Sequence, residues 1–144
     1  MTSQNIFDRA MAIIDSLSPS GGTETSDNVD YKNRTLNILN VLTGELAPYS
    51  ATADETESGQ RVTVAEIRDF DQPVDLDDYL CGTILPYGLA AMLLLSEDPS
   101  VASFCNQKYQ ELIRNIDVGR KQDAEDIHDV YGGFGYEYNG FGRW

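Results

Sequence analysis

The stretch from Leu76 to Leu95 constrains this chain more than any other. Leu76, Leu80, Ile84, Leu85, Leu89, Met92, Leu93 and Leu95 recur at helical spacing and together occupy much of a helix's circumference instead of one stripe. A helix that is apolar nearly all round has to be surrounded by protein, so the expectation is a central helix with others packed about it. It is too short to cross a membrane: Ile84 to Leu95 is an apolar run of 12 residues interrupted by Pro86 and Gly88, where about 18 to 20 are needed. Pro86 lacks an N–H and its ring displaces the carbonyl of the preceding turn, which predicts a bend or break near Gly82 to Thr83. Asp77 is placed to open this helix with Asp78 in its first turn, where negative charge meets the positive helix end.

Three further helices follow from the same periodicity. Ile6, Phe7, Ala10, Met11, Ile13, Ile14 and Leu17 define a first helix, capped by Thr2 or Ser3 and ending near Ser18 and Pro19. After a turn-rich PSGGTETSDN, Tyr31, Thr35, Ile38, Leu39, Leu42 and Leu46 mark a second helix. It begins near Asp27 or Asp30 and runs to Gly44 or a little beyond, with Lys32 and Arg34 on its polar side. Glu97-Asp98-Pro99 closes the third helix and opens the fourth, with Asp98 as cap and Pro99 at the first helical position. Val101, Phe104, Cys105, Tyr109, Leu112, Ile113 and Ile116 form its apolar stripe up to Asp117 or Gly119. The fold expected is therefore all-α, a small antiparallel four-helix bundle over residues 1–120. In a chain of 144 residues, one such domain is what the length allows.

Two segments do not fit the bundle. From Pro48 to Asp78, nine acids stand against Arg61 and Arg68; an irregular or hairpin arm is expected at about 48–75, with Arg61 to Val64 as a short edge strand. Asp54, Glu55, Glu57, Glu66, Asp69 and Asp71 would make an acidic surface. Residues 121–144 are expected to be an extended docking tail. Its last part, YGGFGYEYNGFGRW, holds five glycines with Tyr131, Phe134, Tyr136, Tyr138, Phe141 and Trp144. Glycine disfavours helix and large aromatics gain only when buried, so the tail binds a surface, of its own domain or of a neighbour.

The search for catalytic chemistry returns little. The net charge of −14 excludes a surface that grips nucleic acid through its phosphates. There is no GxSxG, P-loop or HExxH. His128 is a single imidazole among scattered carboxylates, poor for zinc. DFDQPVDLDD, residues 69–78, has Val74 and Leu80 where a calcium loop needs Gly and Glu. Cys81 and Cys105 read as buried thiols. No signal peptide is expected at MTSQNIFDRAMAII. The expectation is a protein that is not an enzyme and has no catalytic residues, metal or cofactor.

Residues 74–113, VDLDDYLCGTILPYGLAAMLLLSEDPSVASFCNQKYQELI, resemble the small head-tail connector (adaptor) proteins of tailed bacteriophages and prophages. The likeness lies in the acidic helix start, the Leu85 to Ala91 block, the Glu97 to Pro99 turn, Phe104 and Tyr109 to Leu112. The ending from Asp129 to Gly133 and from Phe141 to Trp144 is similar too. The resemblance implies a structural protein of the virion, made in the cytoplasm of the bacterial host and sited at the head-tail interface without membrane contact. It implies a ring of copies, often twelvefold, beneath the portal protein, extending the DNA channel to the next connector or tail protein. DNA would pass an acidic wall without sequence-specific binding. Tyr131, Phe134, Tyr136, Tyr138, Phe141 and Trp144 would anchor on a neighbouring portal or adaptor subunit, and Arg143 would pair with a carboxylate there. Alternatives are a stopper or tail-completion protein, a small acidic host binding module, and a hydrolase or metal-dependent enzyme hidden in the acidic arm.

Overall fold

The computed structural model describes residues 1–15, 28–50 and 63–121, and within them the protein is all-helical, with four helices and no sheet. They are α1 (Ser3–Ile13), α2 (Val29–Leu46), α3 (Leu85–Leu94) and α4 (Pro99–Lys121). As the apolar pattern requires, α3 is central and packs against each of the other three. Leu80, Ile84, Leu85, Leu89 and Leu93 are fully buried, joined by Ile6, Phe7 and Met11 from α1, Leu39 and Leu46 from α2, and Cys105 from α4.

The caps are local and follow the sequence. Thr2 Oγ1 accepts from the Asn5 N–H, Asp77 Oδ1 from Leu80 at 2.9 Å, and Asp98 Oδ1 from Ser100 and Val101, both at 3.1 Å. Helix α1 differs from expectation, stopping at Ile13 and not near Ser18. The Ile14 N–H still reaches Ala10, but Asp15 takes a φ of 54°, a left-handed turn that Asp tolerates and that ends a helix. Leu17 and the Ser18–Pro19 boundary lie outside the described residues.

Pro86 is accommodated without breaking the chain's helical path. Helical structure begins at Asp78, widens into a π turn over Leu80–Ile84 and continues directly into α3. In that turn the Leu85 N–H bonds to the Leu80 carbonyl, five residues back. In a regular helix Gly82's carbonyl would pair with the N–H of residue 86, which proline lacks. Arg9 of α1 supplies the missing donor, its Nη1 lying 2.6 Å from the Gly82 oxygen. Gly88, one turn on, leaves room for side chains of two neighbouring helices. A Cβ there would sit 2.9 Å from the Tyr109 ring of α4 and 3.2 Å from Leu42 of α2.

Four expected core or stripe assignments are corrected. Met92 and Leu95 are 45% and 65% exposed, and Phe104 on α4 is 54% exposed, with Val101 beside it at the surface. Three neighbouring helices cannot enclose α3 at its last turn, so its apolar circumference is covered on all but that side.

Candidate interaction surfaces

The acidic stretch does not project from the domain where it is described. Residues 63–76 form an irregular strap whose Ile67, Val74 and Leu76 side chains are buried in the core. Thr63 and Val64, expected at the end of an edge strand, have no strand pairing, and among the described residues the nearest approach to sheet is one isolated bridge between Thr2 and Pro73. Asn40 of α2 holds the strap as another strand would, donating to the Ile67 carbonyl at 2.9 Å and accepting its N–H at 2.8 Å. The strap in turn finishes α1. The unpaired N–H groups of Ser3 and Gln4 donate to the carbonyls of Gln72 and Phe70, at 3.3 and 3.0 Å. Phe70 meets Phe7 edge-on at 6.0 Å, and Lys32 lies over the Phe70 ring at 5.2 Å. Lys32, read from the sequence as merely polar-side, is thus part of the strap's mounting.

Of the six acids expected to form a surface, Glu66, Asp69 and Asp71 are exposed on this strap. Two of them also shape it: Glu66 pairs with Arg68 at 3.1 Å, and Asp69 Oδ1 accepts the N–H groups of Asp71 and Gln72. Asp54, Glu55 and Glu57 lie outside the described residues. So do Tyr131, Phe134, Tyr136, Tyr138, Phe141, Arg143, Trp144 and His128.

The α3–α4 corner carries a second surface. Ala91, Met92 and Leu95 on one side and Pro99, Ala102 and Asn106 on the other line a groove of about 290 Å³. Asn106 also opens a polar groove of about 420 Å³ along α4, lined by Gln107, Gln110, Glu111, Arg114 and Asn115. On the opposite flank of the corner, Arg34 of α2 donates to the Leu93 carbonyl at 2.9 Å and lies 3.9 Å from Glu97, which accepts the Tyr31 hydroxyl. Burial pushes the Tyr31 phenol up to about 12; the bond to Glu97 and that carboxylate's charge add to the shift, and Arg34 opposes it. These contacts tie the start of α2 to the end of α3.

The remaining buried reactive groups are quiet. Cys81 and Cys105 are free and buried, as the sequence suggests, and burial pushes the Cys81 thiol up to about 11 and Cys105 in the same direction. Burial also raises the Tyr109 phenol far above its ordinary value, and the nearby Glu45 carboxylate adds to this without meeting its hydroxyl in hydrogen-bond geometry. Among the described residues no three His, Cys, Asp or Glu side chains are grouped to hold a metal ion, and no helix is long and apolar enough to cross a membrane. No protein-family model, curated protein or solved structure matches this chain.

Proposed function

We propose that this chain is a structural head-tail connector (adaptor) of a tailed-phage virion, a ring-forming subunit beneath the portal protein. The observation that carries the reading is the 74–113 segment that resembles such connectors. It is one continuous unit here, from the Asp77 cap through the π turn and α3 to the Asp98 cap and α4, and it forms the centre of the core. A cyclic assembly needs two different faces on each subunit, and a small bundle with an acidic arm and an aromatic tail has material for both. In this reading the bundle is antiparallel. Residues Tyr131 to Trp144 anchor on the portal or the next copy, and the strap acids Glu66, Asp69 and Asp71 line the channel or face the next ring. There they repel DNA phosphates and let the duplex slide.

The test is the molar mass of the purified protein, alone and mixed with the portal protein of the same virion, by multi-angle light scattering. A monomer that becomes a stoichiometric ring on the portal is the expected result. A monomer indifferent to the portal overturns the adaptor reading.

A further inference from the structure

The groove at the α3–α4 corner has a surface order that matches a part of this chain. Followed from the end of α4 toward its start, the groove presents Arg114, then Glu111, whose charge Lys108 meets at 2.8 Å, then Gln110 and Asn106, and then the apolar groove of Ala102, Pro99, Met92 and Leu95. Arg114 is exposed and has no ion pair among the described residues. The sequence after Lys121 runs in the same order: residues 122–130 carry Asp123, Glu125, Asp126 and Asp129, and residues 131–144 carry the six aromatics.

Length fits as well. From Lys121 back to Asn106 is about 22 Å at the helical rise of ~1.5 Å per residue, whereas Lys121 to Tyr131 spans up to about 33 Å when extended. A chain that doubles back along α4 therefore brings its first aromatic to the mouth of the groove. An attached segment also acts at an effective concentration of about millimolar, well above that of a second copy in dilute solution.

We propose that residues 131–144 dock in the groove between Met92–Leu95 and Pro99–Ala102 of their own chain, with the acidic 122–130 segment running beside Gln110 and Arg114. The inference does not need the connector reading. Where both hold, the groove is the tail's resting place and the portal has to draw it out.

Trp144 is the only tryptophan, so the full-length protein reports directly. Its emission and acrylamide quenching are compared with those of Leu95→Lys and Met92→Lys, both at exposed positions, with thermal melts to verify folding. Tyr136→Trp in a Trp144→Phe background gives a second reporter farther from the end. Expected are blue-shifted emission, quenching several-fold weaker than for free tryptophan, no change on dilution, and release by Leu95→Lys. Solvent-like emission from both reporters overturns the proposal, as does protection indifferent to both groove substitutions. Protection that disappears on dilution together with a dimer mass makes a second copy the occupant and overturns it too. Portal binding is not read in these measurements, so they leave the connector reading to its own test.

Discussion

Replacing Asn40 with alanine tests whether the strap is held chiefly by side-chain mimicry of a neighbouring strand. The carboxamide makes two hydrogen bonds to one residue, 2.9 Å to the Ile67 carbonyl and 2.8 Å from its N–H. At about 1 kcal/mol net apiece, with an added penalty for two backbone groups left only partly hydrated, Asn40→Ala should cost about 2–3 kcal/mol. For a chain of this length that corresponds to a fall in melting temperature of roughly 6–12 °C. Ile67→Ala, which empties a core position only 3% exposed, should cost about 2–5 kcal/mol by itself. The two changes act on one segment, so the double variant should lose clearly less than the sum, because a strap already detached has nothing more to give up. Thermal and urea melts followed by circular dichroism supply the energies, and amide exchange at Ile67 shows whether the strap opens before the helices. An Asn40→Ala loss below about 0.5 kcal/mol, or strict additivity in the double variant, would refute the reasoning.

Other expectations follow from single contacts. Gly88→Ala should destabilise by about 1–3 kcal/mol, since its Cβ would press on Tyr109, while Gly44→Ala, with nothing within 4 Å of its Cβ, should stabilise by about 0.5–1 kcal/mol; paired urea melts decide both. Leu89→Ala should cost about 2–5 kcal/mol and Met92→Ala under about 0.5, a contrast that reads burial directly. Tyr31 keeps its proton to about pH 12 in the folded protein, whereas an unfolded tyrosine loses it from about pH 10. Stability that is intact below pH 10 should therefore fall between pH 10 and 12 as the unfolded state releases more protons, and Tyr31→Phe should flatten that part of the curve in denaturation measured against pH.

What could be read in advance was whatever is decided within a few residues. The Asp77 and Asp98 caps and the central burial of Leu85 and Leu89 depend on local spacing, and each was legible. Pro86 announces a disturbance at the right place but not its form, because the donor that meets the Gly82 carbonyl comes from Arg9, 73 residues away. The way the strap is anchored is not legible for a related reason. Its acids are conspicuous, yet its position is set by Ile67 in the core and by Asn40 on another helix. Met92 and Phe104 carry the same hydrophobicity as their buried neighbours, and only the finite number of surrounding helices leaves them outside. Of the expected interaction surfaces, half of the acidic set can be placed. The groove beside Met92 had no signature, since it is made by a gap between two helices whose apolar residues all looked like core.

The strap also fixes an order of events. The first turn of α1 is completed by carbonyls of Phe70 and Gln72, and the Ser3 hydroxyl reaches Gln72 across 69 positions. During synthesis α1 emerges well before the strap that completes it, so its first N–H groups are served by water until the strap has been made. The closure that finally pairs them spans 69 positions, and long closures are entropically slow. Folding should therefore begin around α3 and α4, which are neighbours in sequence, and end with the strap closing over the first turn of α1.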